Sequence, residues 1–179
     1  MYIPEIPNNS LTKEITKIVE LCKKLEPEYL NGTAKFNAPV SEGELSKWEN
    51  DNSIMIPESC KDWLRFSNGS DILNGLMISY SLSDFVTECD DIPKDLVVIG
   101  NIIGDGEFIC FSKETNKIIL EDHGNLDEYN CLNDILNRVV QMMQENCGLS
   151  ASSISILEMM AKKAREKKIR NCDTPDVKD

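Results

Sequence analysis

Leu96-Val97-Val98-Ile99-Gly100, Glu107-Phe108-Ile109-Cys110-Phe111 and Lys117-Ile118-Ile119-Leu120-Glu121 are short β-rich runs, separated by the turn-forming residues Gly104-Asp105-Gly106 and Glu114-Thr115-Asn116. β-branched and aromatic side chains suit a pleated, half-buried surface, and links this short let successive strands pair as hairpins. Leu76-Met77-Ile78-Ser79-Tyr80 stands upstream as a further strand. Four strands in succession predict an antiparallel sheet. Between the first two lie a short helical turn, Ser83-Asp84-Phe85-Val86, and an acidic loop, Glu88-Cys89-Asp90-Asp91.

Helices flank these strands at both ends. Leu11, Ile15, Ile18, Val19, Cys22 and Leu25 recur at helical spacing, with Ser10 placed to cap and Pro27 near the end. Ser41-Glu42-Gly43-Glu44 has the Ser-x-x-Glu spacing of a capping box and opens a second helix to about Asn50, with Leu45 and Trp48 on its inner side. Pro57 sits where a first helical turn tolerates it, and a third helix, Glu58 to Ser67, buries Cys60, Trp63, Leu64 and Phe66 before stopping at Asn68-Gly69. Leu132, Ile135, Leu136, Val139, Val140 and Met143 mark a last core helix closing near Gly148. The expectation is an α+β fold: a mainly antiparallel sheet of four to six strands packed against N- and C-terminal helices. Residues 1–149 form the domain, and 150–179 form a helical extension with a basic end.

A chain of 179 residues, 41% hydrophobic and 28% charged, is long enough to bury one sizeable core. No run of about 18 or more apolar residues occurs, so no membrane helix is expected. The opening Met1-Tyr2-Ile3-Pro4-Glu5-Ile6-Pro7 has neither the basic flank nor the apolar stretch of a secretory signal, which predicts a cytoplasmic protein. Seven widely spaced cysteines without a Cys-x-x-Cys pair read as reduced thiols that pack as small hydrophobes. Charge is uneven. Residues 158–179 hold seven basic and five acidic side chains, whereas residues 1–157 hold twelve and twenty-six, a balance of −14 that repels phosphate backbones and favours basic partners. Nucleic acid is not an expected ligand.

Nothing in the chain assembles into a catalytic or metal site. His123 is the one histidine and lies in a turn, without a nucleophile elbow near it. Gly100 to Gly106 lacks the Gly-Lys-Ser/Thr ending of a P-loop and contains acids where phosphate would need cations. Adjacent carboxylates such as Asp90/Asp91 and Glu121/Asp122 seldom supply the fixed separation that acid–base catalysis needs. Asp105 and Glu107 lack the alternating oxygen ligands of an EF-hand loop. No cofactor, metal or enzymatic activity is expected. Carboxylates gathered in loops on a rigid scaffold suit recognition of a basic protein by complementary field. The candidates for partner contact are Asp84, Glu88, Asp90, Asp91, Asp105, Glu107, Glu121 and Asp122.

The order of motifs carries a resemblance. Glu44 to Trp48 with Glu49, Ile56-Pro57-Glu58-Ser59 with Trp63-Leu64, and Ser67-Asn68-Gly69 are followed by Leu96-Val97-Val98-Ile99-Gly100, Gly104-Asp105-Gly106 and Phe108-Ile109-Cys110-Phe111. In this succession, over about residues 10–147, the chain resembles the SUKH superfamily, which includes a yeast cell-wall synthesis regulator of the Smi/Knr type and many bacterial toxin-immunity proteins. Trp48, Pro57, Trp63, Asn68, Gly69, Gly100, Gly104 and Gly106 would be its structural positions. Where the family usually has Leu-Pro this chain has Ile56-Pro57, and the extension after Ser150 lies outside the pattern.

The resemblance implies an α+β fold, no catalysis and a function of binding another protein. In bacterial members that partner is generally the C-terminal domain of a secreted toxin, and an acidic body would suit a basic one. The leading expectation is an immunity protein that neutralises a toxin by direct binding. A regulatory scaffold of the cell-wall-regulator kind is the alternative, and a hydrolase using the acidic loops would declare itself by tight divalent-metal binding.

Overall fold

Seven strands, each hydrogen-bonded to the next in sequence, make an antiparallel meander: β1 (Ala34–Phe36), β2 (Ser70–Ile72), β3 (Met77–Ser79), β4 (Leu96–Ile102), β5 (Glu107–Ser112), β6 (Ile118–Asp122) and β7 (Asn125–Tyr129). The structure, a computed structural model, describes residues 1–25, 32–90, 92–102 and 107–148. Its helices are α1 (Thr12–Leu25), α2 (Glu42–Asn52), α3 (Glu58–Leu64) and α4 (Leu132–Gly148), with a short 3-10 turn at Leu82–Asp84. The α+β class is as expected, and the sheet has one strand more than the upper expected number. The expected basic C-terminal helix lies outside the described residues. By its contacts the chain divides into Met1–Met142 and Met143–Asp179, and the described part of the second unit is the end of α4.

Opposed residues in an antiparallel pair share a face, so the register sorts the sheet. Phe36, Ser70, Ser79, Gly100, Ile109 and Leu120 form one row, with Ile72, Met77, Ile102, Phe111 and Ile118 on the same inner side. A register shift between Val98 and Gly100 makes Ile99 the extra residue of a β-bulge and turns Gly100 inward, opposite Ser79. Ser79 in this row receives Trp63. The indole is 3% exposed, donates to Ser79 Oγ at 2.9 Å, and packs edge-on to Phe66, which meets Phe36 in turn. Ser79 Oγ also bonds Ser70 Oγ at 2.9 Å, so every buried polar atom of this cluster has a partner.

Three-way hydrogen bonding ties the helices together. Ser10 does not cap α1 as its position suggested; its amide and hydroxyl both donate to the Asp62 carboxylate in α3, the hydroxyl at 2.6 Å. Asn9 takes over at the helix start, its Oδ1 accepting from the Leu11 amide. From α4, Asn133 donates to Ser10 O, and Asn133 and Asn137 both donate to the carboxylate of Glu14, which is 4% exposed. The capping box of α2 forms as its sequence predicts, with Ser41 and Glu44 each satisfying the other's amide. Arg65 then spans the two helices, donating to Glu42 at 2.7 Å and to Glu58 at 2.6 Å and reaching Asp62 at 3.0 Å. The third helix ends at Leu64, three residues before the predicted Ser67, because the chain tightens into turns at Arg65 and Phe66. Gly69 follows at φ +93° with Asn37 and Ser81 packed against it, a position a side chain could take only under strain.

Two outcomes follow from these contacts. A Cβ at position 100 would lie 2.3 Å from Ile78 O, so Gly100→Ala should lower the unfolding free energy by about 3 kcal/mol in urea titrations. The Arg65 hydrogen bond holds the Glu42 carboxyl below its ordinary 4.5, so its contribution is complete above that value and is lost as pH falls through the folded-state pKa. Arg65→Met should therefore lose most stability near neutral pH and progressively less towards acid, read as the urea midpoint against pH.

Candidate functional site

The acidic residues fall at opposite ends of the sheet. β4 begins opposite the end of β5 and finishes opposite its start, so the β3–β4 connection approaches one end, while the β6–β7 turn lies at the other. Seven residues of strand separate the two ends by roughly 20 Å. Asp84, Glu88 and Asp90 belong to the β3–β4 connection, and Glu107, Glu121 and Asp122 lie toward the far end. Asp91, Asp105, Gly104 and Gly106 lie outside the described residues.

At the first end, Ile92 of the connection packs on Leu96, Val98, Cys110 and Ile119, with Tyr80 and Phe108 alongside, and so covers part of the sheet's outer side. This anchored apolar residue holds the polar residues before it outward. Glu88 and Asp90 are exposed and line an open depression of about 430 Å³ with Cys89, Lys94 and Lys113. Lys113 is a structural cation there, its Nζ donating to the carbonyls of Thr87 and Lys94 at 2.8 and 2.7 Å. Asp84, also exposed, accepts from Ser81 Oγ.

At the far end the carboxylates differ in use. Glu121 is 6% exposed, and its Oε1 accepts the Gly124 amide at 2.7 Å, which commits it to the turn and leaves little of it for a partner. Glu107 forms an ion pair with Arg138 of α4 at 2.8 Å, and that hydrogen bond raises the arginine's pKa above its ordinary value. Asp122 is exposed and meets His123 Nδ1 at 2.7 Å. The turn continues into β7, whose Asp127 and Glu128 are exposed carboxylates that the sequence reading did not single out. Its signal was the two-residue turn His123-Gly124 between residues that can face one another, since Asn-Leu-Asp-Glu-Tyr has little strand propensity of its own.

The structural positions gather around α2, α3 and the middle of the sheet. Trp48 is half-buried and stands edge-on to Phe85 at 5.7 Å, while buried Pro57 starts α3. Asn68 fastens the β3–β4 connection, its Oδ1 accepting the Leu82 amide at 2.7 Å. Cys22, Cys60 and Cys110 are buried, and burial, with the Glu121 charge second, pushes the Cys110 thiol up to about 12. Among the described residues no three His, Cys, Asp or Glu side chains gather as metal ligands, and no helix is long and apolar enough to cross a membrane.

A seven-strand antiparallel meander joined to helices by a buried tryptophan, with its acids divided between fold-holding and exposed positions, defines an α+β module. The chain belongs to the SMI1 / KNR4 family (SUKH-1), whose model matches residues 39–138, more than half its length. No curated protein matches it.

The division of labour among the acids is measurable. Replacing Glu88 and Asp90 by lysine should change unfolding free energy by no more than about 0.5 kcal/mol, whereas Glu121→Gln should cost about 1 kcal/mol by weakening the bond to Gly124.

Proposed function

We propose that this chain is a non-catalytic, cytoplasmic binding protein whose partner is another protein, and that it acts in bacteria as an immunity protein, neutralising a secreted toxin by direct association. The observation that carries this reading is the −14 balance of residues 1–157, together with exposed Asp84, Glu88, Asp90, Asp122, Asp127 and Glu128 on a rigid sheet-and-helix frame. A field of that sign raises the local concentration of a basic partner and speeds its encounter. Membership of the SMI1 / KNR4 family supports a binding role. The two ends of the sheet give such a partner alternative points of approach. At the first, Lys94 and Lys113 sit among the carboxylates; at the second, residues 117–129 place one lysine against four carboxylates.

The test is survival of a surrogate bacterium that co-expresses this protein with the C-terminal domain of each large secreted protein encoded nearby. Immunity predicts that one toxic domain is rescued specifically. Failure to rescue any toxic neighbour would favour the regulatory scaffold, whose partners are the cell's own proteins. For a rescued domain, the association rate should fall by about tenfold or more as salt is raised from low to physiological concentration, as electrostatic steering requires. A rate independent of salt would remove the acidic surface from the account.

A further inference from the structure

The strand β7 ends the meander with β6 as its neighbour, and Asn125 through Glu128 are exposed, Leu126 by 48%. The turn before it has His123 at φ 50° and Gly124 at φ 90°, both left-handed, the geometry of a two-residue type I′ hairpin. Such a turn closes on a doubly hydrogen-bonded pair, here Asp122 and Asn125. Alternation along the ladder then makes Leu120–Asp127 and Ile118–Tyr129 the other bonded pairs. The amides and carbonyls of Leu126 and Glu128 consequently point away from β6. Among the described residues no backbone group bonds to them.

An edge of this kind is a template for another strand, and proteins usually blunt it with proline, a bulge or lysine. β7 has no proline and pairs with β6 without a register break. It carries Asp127, which has no ion pair or hydrogen bond among the described residues, and Glu128, which is paired with Lys117 at 2.6 Å. Pairing β7 along its whole length with a second copy, Leu126 against Glu128, would set Asp127 directly opposite Asp127, a like-charge contact that opposes self-association. A basic strand meets no such penalty.

We propose that the outer edge of β7 receives an extended segment of a partner protein with lysine or arginine at alternate positions, hydrogen-bonded to Leu126 and Glu128 and extending the sheet to an eighth strand. This rests on the protein-binding reading above and gives it a location. Main-chain bonds supply the attachment, and the alternating cations, facing Asp127 on one side of the sheet or Glu128 on the other, supply the selectivity.

The experiment is amide hydrogen exchange by NMR on the full chain, with a short peptide of alternating lysine and valine as probe. In the free protein Leu126 and Glu128 should exchange fast and Asp127 and Tyr129 slowly; the peptide should slow the first pair by about tenfold or more. A peptide of alternating glutamate and valine should not. Leu126→Pro removes an outward donor that β6 does not use, a substitution an edge strand tolerates, and should abolish the protection. Asp127→Lys, which leaves the backbone donors intact, should weaken the lysine peptide and admit the glutamate one. Protection elsewhere, or equal protection in both variants, would overturn the proposal. Survival assays separate it from the immunity reading. Equal rescue by wild type and both variants would reject the β7 edge while leaving immunity standing. Protection at β7 with no toxin rescued would retain the edge site and reject immunity.

Discussion

The indole of Trp63 is held against the inner row of the sheet by the hydroxyl of Ser79, which accepts its one polar hydrogen. Ser70, Ser79 and Gly100 lie side by side on three neighbouring strands, and the bulge at Ile99 brings Gly100 to that row. Without the Ser79 hydroxyl the indole N–H would be buried unpaired, and a Cβ at Gly100 would press on the Ile78 carbonyl beside that row; Phe66 packs edge-on to the indole, and Phe36 on Phe66 in turn. The fit is close: the space among Cys60, Trp63, Leu64, Met77, Ser79, Ile109 and Leu132 is about 10 Å³, too little for a water to occupy comfortably. One face of the meander is thus fixed against α3 and the start of α4, the β3–β4 connection covers part of the other through Ile92, and the outer edge of β7 remains exposed.

Much of this order was legible in the chain because local chemistry and tertiary packing agree. The capping box at Ser41 and Glu44, the proline that opens α3 and the apolar periodicity of α1 and α4 each act within a few residues. The four apolar strands were legible for the same reason. Missing were β1, β2 and β7, which are three to five residues long and are specified by their neighbours. Lys35 is exposed and Asp71 half-exposed on β1 and β2, so neither strand shows a full apolar pattern. Ser10 misled for a related reason: a serine before a helix is a cap by local rules, but a buried carboxylate fifty-two residues away competes for the same hydroxyl.

The candidate surface was less legible than the fold. Composition records how many carboxylates there are, whereas their use depends on which are turned inward. Glu121 and Asp122 are adjacent in sequence and opposite in role, since alternation on a strand sends one to a buried turn contact and the other to solvent. Glu107 is drawn into an ion pair by an arginine thirty-one residues later. Charge that holds the fold and charge that faces a partner look the same until the register is known.

From β4 to β7 the meander keeps strand partners close along the chain, which favours rapid formation, because little loop entropy is lost before each pairing is rewarded. The first helix is under the opposite rule. It is made before the sheet, yet its buried Glu14 waits for Asn133 and Asn137, more than a hundred residues behind it. The sheet is therefore made before α4 can close over α1, and a chain interrupted before Asn133 would lack the two amide donors that Glu14 meets in the fold.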